Sequence, residues 1–171
     1  MKIVLVGYMG SGKSTIGKIL ANQLKIKFLD LDDYIEAEEG MGIPQLFESK
    51  GEIYFRKKEN EHLKQILNGT DHFILSTGGG TPCYGNNMQA ILEATPNVFY
   101  LKVTIPGLIE RLAPEKAHRP LIANIPEEEL PEFIGKHLFE RSFFYSRAEH
   151  AIQTDGKSVE TIVAEIEALL V

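Results

Sequence analysis

The sequence predicts an α/β domain in which helices cover a parallel β-sheet, and two observations support that prediction. Short apolar runs recur along the chain, and the longer segments between them have the apolar spacing of helices. Such alternation is typical of βαβ units around a parallel sheet that is buried on both faces. With 171 residues, 43% of them hydrophobic, the chain is long enough for one well-buried core and short for two. We therefore expect a single domain, residues 1–171.

The apolar runs predict five strands in chain order. They are Ile3–Val6, Phe28–Leu31, Phe73–Leu75, Val98–Val103 and, more weakly, Ala151–Ile152. Helical spacing follows the first strand at Ile16, Ile19, Leu20 and Leu24. A helix from about Gly51 to Asn68-Gly69 is expected to place in the core Ile53, Leu63, Ile66 and Leu67. The last helix, capped by Ser158, has a stripe of Val159, Ile162, Val163, Ile166, Leu169 and Leu170.

One charged segment is punctuated by prolines at positions 114, 120, 126 and 131. Proline removes a backbone donor and interrupts helices, so we expect a mobile excursion here, with a plain surface loop as the open alternative.

Charge and composition exclude several classes of protein. The formal net charge of −6 argues against a broad binding surface for nucleic acid or an anionic membrane. The single cysteine, Cys83, excludes an internal disulfide framework. The N-terminal run MKIVLVG enters a glycine loop instead of a cleavage site, and no apolar stretch is long enough to span a bilayer. We expect a cytoplasmic protein.

The first functional motif is a glycine-rich loop after the first expected strand. Residues 7–14, GYMGSGKS, satisfy the pattern G-x-x-x-x-G-K-[ST] between a strand and a helix. Its backbone N–H groups are expected to cradle phosphates, while Lys13 reaches the β- and γ-phosphates and the Ser14 hydroxyl holds Mg²⁺. The loop therefore predicts a nucleoside triphosphate site formed by Gly10, Ser11, Gly12, Lys13, Ser14 and Thr15. It leaves the acceptor of the γ-phosphoryl group open.

Two carboxylates follow the second expected strand. The stretch FLDLDDYIE places Asp30 and Asp32 at the carboxyl end of that strand, where ligands collect in open α/β sheets. Alternate strand residues face the same way, so one carboxylate could hold hydrated Mg²⁺ while the other accepts a proton from a hydroxyl. Acidic residues after a strand also cap helices, and we expect Asp33 to do so.

A second glycine-rich stretch, STGGGTP, follows the third expected strand. It lacks the Lys-Ser pair of the first loop, and by itself it could form either a phosphate cradle or a chain reversal. Without side chains at Gly78, Gly79 and Gly80, its backbone N–H groups can approach a small ligand closely.

Taken together, the motifs GSGKST, DLD, FRKKE, STGGGTP, RPL and ERSFFYSRA resemble the shikimate kinases in order and approximate spacing, over nearly the whole chain. The resemblance implies a three-layer P-loop kinase fold, with a five-stranded parallel sheet of order 2-3-1-4-5 flanked by helices. It also implies a mobile lid at about 112–126 and a substrate-binding subdomain at about 31–60. The implied activity is ATP-dependent phosphorylation of the 3-hydroxyl of shikimate, with Mg²⁺ as cofactor, by a cytoplasmic monomer in aromatic amino-acid biosynthesis.

The resemblance also implies the roles of individual residues in binding the acceptor. Asp32 looks like the carboxylate that orients the reacting hydroxyl, and Asp30 like the water-mediated partner of Mg²⁺. Arg56 and Arg141 look like the pair that grips the substrate carboxylate, for which planar guanidinium groups are suited. The family's glycine stretch, here Gly78, Gly79 and Gly80, touches the acceptor.

On the nucleotide side, Arg119 in HRPLI resembles the lid arginine that stabilises charge on the transferring group. Together with Asp32 and Lys13 it makes up the expected catalytic set. Arg111 resembles an arginine placed against adenine, and Lys157 a further ATP contact.

Several readings stay open at the level of sequence. A related kinase for a sugar acid such as gluconate fits the carboxylate-binding pair, whereas a nucleoside monophosphate acceptor calls for more arginines. An ATP-binding regulatory module without catalysis is the alternative from another class. Phe47 and Phe55 suit either the walls of the acceptor site or ordinary core packing, and Tyr145 is expected to pack one turn after Arg141 and fix it.

Overall fold

The computed structural model describes residues 1–171 and contains a five-stranded parallel sheet in the order β2-β3-β1-β4-β5. The strands are β1 (Lys2–Val6), β2 (Lys27–Asp30), β3 (Phe73–Ser76), β4 (Val98–Lys102) and β5 (His150–Gln153). All five expected strands are present. The α/β class and the strand order implied by the resemblance are confirmed.

Seven α-helices connect and cover the strands. They are α1 (Lys13–Leu24), α2 (Leu31–Glu39), α3 (Ile43–Asn68), α4 (Asn87–Ala94), α5 (Ile105–Leu112), α6 (Leu130–Tyr145) and α7 (Val159–Leu169). None of them is both long and apolar enough to cross a membrane.

The sheet separates two hydrophobic cores, because alternate side chains of each strand point to opposite faces. In β1, Ile3 and Leu5 join a core with α1 and α7, whereas Val4 and Val6 join a larger core on the other face. That larger core contains buried residues of α2, α3, α4, α5 and α6. The result is a three-layer arrangement in which the central strands are covered on both sides.

Helix α3 contains a residue that the sequence pattern wrongly assigned to the core. Gly51 adopts φ 83° and ψ 169°, so the helix is interrupted there and its second part has its own helical phase. The buried stripe of that part runs through Phe55, Glu59 and Leu63. The prediction that Ile53 belongs to the core is wrong: it lies off this stripe and is 89% exposed.

Two other local predictions concern helix α7 and the proline-punctuated segment before α6. Ser158 caps α7 as expected by accepting a hydrogen bond from the Thr161 N–H, but Leu169 on the predicted apolar stripe is exposed. The proline-punctuated segment forms short 3₁₀ turns, Ala113–His118 and Glu127–Glu129, before α6 begins. Ile122 in this segment is fully buried in the larger core, so the excursion has an internal anchor.

Candidate active site

An open cleft of about 590 Å³ lies at the carboxyl edge of the sheet, where the phosphate loop and the ends of β2 and β3 meet. This is the edge at which open parallel sheets bind ligands. Many of the predicted site residues line the cleft: Gly10, Ser11, Gly12, Lys13, Ser14, Thr15, Asp30, Asp32, Gly78, Gly79, Arg111, Arg119 and Lys157. The other three, Arg56, Gly80 and Arg141, lie next to it at the far end of the glycine stretch.

The phosphate loop has the backbone that an anion site needs. Gly10 and Gly12 have φ values of 79° and 94°, which are strained for residues with side chains. Gly12 also forms the N-terminal boundary of α1, and no side chain caps that helix end. The first N–H groups of α1 therefore remain available, together with the positive end of the helix dipole, for phosphate oxygens.

Lys13 is folded into this loop and is only 8% exposed. Its Nζ atom donates to the carbonyl oxygens of Gly7, at 2.7 Å, and Tyr8, at 3.0 Å. Burial lowers the pKa of Lys13 to about 8, against the opposing attraction of Asp32 and Asp30. The ammonium group is thus held among backbone carbonyls at the base of the cleft, within the loop that is built to receive phosphate.

Asp30 has two hydrogen-bonding roles where β2 passes into α2. Its Oδ1 accepts the N–H of Asp33 and so caps α2, while its Oδ2 accepts the Ser14 hydroxyl at 3.2 Å. The expectation that Asp33 is the cap is wrong, because α2 begins at Leu31 and the residue before it, Asp30, occupies the capping position.

The Ser14–Asp30 pair also fits a magnesium ion. Hydroxyl and carboxylate oxygens are the ligands that Mg²⁺ prefers, and this ion usually keeps several waters and phosphate oxygens beside one or two protein groups. The protein presents no group of three or more His, Cys, Asp or Glu side chains that could hold a metal. Ser14 and Asp30 together offer two oxygen ligands, the number of protein groups that such an ion commonly uses.

Asp32 lies in the first turn of α2, not in the strand, yet it faces the same cleft as Asp30. Desolvation by burial raises the pKa of Asp32 to about 6, with further upward contributions from the carboxylates of Asp30 and Glu59. A carboxylate with its pKa near neutral is a better proton acceptor than an ordinary aspartate. Asp32 is therefore chemically suited to act as a general base.

The glycine stretch after β3 brings the acceptor-side residues together. A Cβ atom placed on Gly78 would lie 3.2 Å from Asp32 Oδ1, on Gly79 3.1 Å from Arg141 Nη1, and on Gly80 3.0 Å from Arg56 Nη2. None of these glycines has a positive φ, so they are needed for space and not for backbone conformation. Consecutive glycines thus leave room for one carboxylate and two guanidinium groups in a row.

The two arginines of this row are held differently. Arg56 donates to the buried Glu59 at 2.9 Å, and its guanidinium carbon lies 3.7 Å from the ring centroid of Tyr84. Its Nε atom is buried without a hydrogen-bond partner. Arg141 takes no part in the ion pairs of the structure, so its charge is not neutralised by a protein carboxylate.

Tyr145 supports this row from behind. Its hydroxyl donates to the carbonyl oxygen of Gly79 at 2.5 Å, and its ring is fully buried. Burial raises the pKa of the Tyr145 hydroxyl far above its usual range, so the hydroxyl stays protonated and keeps donating. Tyr145 therefore fixes the glycine stretch directly, in addition to lying one turn after Arg141.

On the nucleotide side, each predicted basic residue reaches the cleft and already has a partner. Arg119 donates from Nε and Nη2 to Glu115 Oε2, at 3.1 and 2.8 Å. Arg111 donates to the Gly10 carbonyl at 3.3 Å, and Lys157 pairs with Glu165 at 2.8 Å. Arg119 and Lys157 are therefore both held in ion pairs with carboxylates of the protein.

Sequence reasoning missed several residues that shape the site. Glu59 follows Arg56 by three residues on one helix face, a spacing that could have identified the pair, and it also accepts a hydrogen bond from Thr81. Nothing in the sequence pointed to Tyr84. Of the two phenylalanines left open, Phe55 is a buried core residue, and Phe47 packs on it at a ring-centroid distance of 4.6 Å.

Comparison with known proteins gives a consistent result over the whole chain. The family model described as "Shikimate kinase" matches residues 9–170. The curated shikimate kinase of Flavobacterium johnsoniae is 47% identical over 169 residues, which cover 99% of this chain and 98% of that protein.

Solved structures agree with the sequence comparison. A crystal structure of shikimate kinase from Bacteroides thetaiotaomicron superposes with a TM-score of 0.90 at 34% identity, covering 99% of this chain and 97% of that one. The shikimate kinase from Acinetobacter baumannii, solved in complex with shikimate, superposes with a TM-score of 0.86 at 31% identity, covering 98% of this chain and 91% of that one.

Proposed function

The chain belongs to the shikimate kinase family, and we propose that it transfers the γ-phosphoryl group of ATP to the 3-hydroxyl of shikimate, giving shikimate 3-phosphate in the biosynthesis of aromatic amino acids. One observation supports the assignment most strongly. Asp32, Arg141 and Arg56 lie in a row along Gly78, Gly79 and Gly80, beside the phosphate loop. The row offers a base at one end and two cations for a carboxylate at the other, which matches a hydroxylated carboxylic acid.

On the acceptor side, each residue of the row has a distinct task. Arg141 and Arg56 bind the carboxylate of shikimate through charge-assisted hydrogen bonds, for which Arg56 Nε is an unused donor. Gly78, Gly79 and Gly80 admit the ring without side-chain clashes. Asp32 orients the reacting hydroxyl and accepts its proton as the phosphoryl group is transferred.

On the nucleotide side, the phosphate loop and the N-terminus of α1 bind the phosphates, with Gly10, Ser11 and Gly12 supplying the backbone cradle and Thr15 lying just behind it. Lys13 stabilises the charge on the β- and γ-phosphates. Ser14 and Asp30 would hold a Mg²⁺ ion, which neutralises phosphate charge when it is bound. This division places both reactants along one edge of the sheet.

The segment 112–126 acts as a lid in this proposal, and residues 31–60 form the substrate-binding subdomain. Arg119 leaves Glu115 to stabilise charge on the transferring group, and closure of the lid excludes water that would compete with the acceptor hydroxyl. Arg111 and Lys157 contact the nucleotide. We expect the enzyme to act as a cytoplasmic monomer, with no nucleic-acid or membrane partner.

A coupled ADP-release assay with Mg²⁺-ATP tests the function directly. Shikimate should support turnover, whereas gluconate and nucleoside monophosphates should not. The Lys13→Ala variant is the control for contaminating kinases, since it removes the phosphate-loop cation. Turnover with gluconate but none with shikimate would overturn the proposed acceptor, and ATP binding without any transfer would favour a regulatory module.

A further inference from the structure

Helix α6 joins the two halves of the site through three side chains that are each one turn apart. His137 contacts Tyr8 of the phosphate loop, and Tyr145 donates to the Gly79 carbonyl. Arg141, between them, belongs with Asp32 and Arg56 to the row along the glycine stretch, called the acceptor row below. Residues spaced by four lie on one face of a helix. A displacement of this face therefore reaches the phosphate loop and the acceptor row together.

Tyr8 is the residue through which α6 meets the phosphate loop. Its side chain is 1% exposed, and its hydroxyl forms a 2.8 Å hydrogen bond with His137 Nδ1, with the two rings packed edge to face at 5.3 Å. The guanidinium carbon of Arg141 lies 6.0 Å from the Tyr8 ring centroid. Burial, together with the positive charge of Arg141, lowers the pKa of His137 to about 4. The imidazole is therefore neutral at physiological pH.

The backbone of Tyr8 is tied to the group that binds nucleotide. Lys13 Nζ donates to the Tyr8 carbonyl at 3.0 Å and to the Gly7 carbonyl at 2.7 Å. The lysine of such a loop binds the β- and γ-phosphates when a nucleotide is present, so phosphate competes with these carbonyls for the donors of Lys13. Tyr8 thus responds to the nucleotide at its carbonyl and holds α6 at its hydroxyl.

We propose that Tyr8 and His137 are positioning residues that couple nucleotide binding to the placement of Arg141, so that ATP tightens the binding of shikimate. The inference rests on the proposed function, because it takes Arg141 as the group that captures the acceptor carboxylate. Coupling between two binding sites is reciprocal, so shikimate tightens ATP binding by the same factor. A neutral His137 suits this role because it transmits position without adding a second positive charge beside Arg141.

A second contact joins the two halves of the site without involving α6. A Cβ atom on Gly79 would lie 3.4 Å from the backbone nitrogen of Met9, so the glycine stretch also touches the phosphate loop directly. Removing the Tyr8 hydroxyl leaves this backbone contact in place. The Tyr8→Phe variant therefore separates coupling through α6 from coupling through the glycine stretch.

The test measures the shikimate dissociation constant by titration calorimetry, with and without a saturating non-hydrolysable ATP analogue and Mg²⁺. In the wild-type protein we expect the analogue to tighten shikimate binding by at least about fivefold, the lower end of typical coupling. Tyr8→Phe, His137→Phe and the double variant should each reduce this ratio to within about twofold of unity. Because both single variants break the same bond, the double variant should lose no more than either one.

Matched controls separate coupling from stability. Thr95→Val removes a hydroxyl that donates to the Lys2 carbonyl at 2.7 Å, away from α6 and outside the cleft, and should leave the ratio unchanged. A purely structural role of the Tyr8–His137 bond would lower the melting temperature and leave the ratio intact, and this result would overturn the proposal. A wild-type ratio near unity would overturn it as well. The proposed function fails separately, through an absence of shikimate turnover in the wild-type protein.

Discussion

At the scale of single residues, the environment of Asp32 links burial to chemistry. Its pKa is raised to about 6, first by desolvation and then by the neighbouring carboxylates of Asp30 and Glu59. Only the ionised carboxylate accepts a proton, so kcat/KM for shikimate should fall about tenfold per pH unit as the pH drops below about 6. Steady-state rates between pH 5 and 8.5 measure this inflection.

The nucleotide has its own phosphate ionisation near this pH, so a matched variant is needed. Asp32→Asn retains the shape of the side chain but does not titrate, and its residual activity should lack the inflection that belongs to Asp32. An identical acid limb in both proteins would assign the pH dependence to ATP and exclude Asp32 as the titrating base.

Gly79 occupies the point where the phosphate loop, the acceptor row and Tyr145 converge. In Gly79→Ala the new Cβ would lie 3.1 Å from Arg141 Nη1, which is tighter than ordinary packing. The guanidinium of Arg141 would have to move aside and weaken a charge-assisted hydrogen bond worth about 1.5–3 kcal/mol, so the KM for shikimate should rise by about 10- to 150-fold while ATP affinity is kept. Separate titrations with shikimate and with ATP measure the two effects.

Gly135→Ala on α6 is the matched control, because its Cβ would lie 3.5 Å from Ile105 Cδ1, an ordinary contact. This variant should bind shikimate normally. Weakened ATP binding with normal shikimate affinity in Gly79→Ala would show that the glycine stretch serves the nucleotide instead.

At the scale of elements, the proposed lid segment holds Arg119, which directly follows the 3₁₀ turn Ala113–His118, in an ion pair with Glu115 of that turn. Arg119 and Glu115 are partly exposed, at 33% and 57%, and such pairs contribute about 0.2–1 kcal/mol. In the proposed mechanism Arg119 leaves this pair when ATP binds, so Glu115→Gln should tighten ATP binding by up to about fivefold, with little change in stability. Titration calorimetry with the non-hydrolysable analogue measures the change.

Glu61→Gln provides the comparison for this lid variant. Glu61 pairs with Lys58 at 2.9 Å on the surface of α3, outside the cleft, so its loss should leave ATP affinity unaltered. Equal affinities in the wild-type protein and Glu115→Gln would show that the ion pair does not compete with nucleotide.

The helices and strands were predictable to the extent that local pattern controls them. Buried strands such as β3 and β4 are continuous apolar runs, and Ser158 marks the start of α7. The break at Gly51 has no such signal, because glycine is compatible with many conformations. The expected helix already began at about Gly51, and Ile53 was wrongly placed in the core because it lies off the stripe of Phe55, Glu59 and Leu63.

The site was predictable where a motif brings its own geometry, and less so where tertiary contacts decide. The phosphate loop contains Lys13 and Ser14 within one short stretch, so spacing alone located them. Arg56 and Arg141 lie far apart in the chain, and only the family resemblance paired them. The contact of Tyr8 with His137 joins positions 129 residues apart, and neither residue belongs to a motif that predicts it.

At the scale of the whole molecule, two cores share one sheet, and the functional groups gather where that sheet ends. Lys13 and Asp32 are charged residues in poorly hydrated positions, and burial shifts the pKa of each toward neutrality. A folded state that tolerates such groups gives up stability for chemistry, because desolvation disfavours their charged forms. Replacing such a group by a neutral side chain should therefore raise the free energy of unfolding and lower the activity.

Asp32→Asn makes this relation measurable. A carboxylate whose pKa is higher in the folded than in the unfolded state destabilises the fold above the folded pKa of about 6, and the penalty fades as the pH falls toward 3.8. At pH 7.5 without ligands, urea denaturation should show the variant to be more stable than wild type by about 1–3 kcal/mol, allowing for partial solvent exposure, and this gain should fall to about half at pH 5.

The same Asp32→Asn variant should lose roughly 10²- to 10⁴-fold in kcat. Asp71→Asn, at an exposed position outside the cleft, should change neither quantity. An Asp32→Asn protein that is no more stable than wild type at pH 7.5 would contradict the burial penalty, whereas an unchanged kcat would remove Asp32 from catalysis.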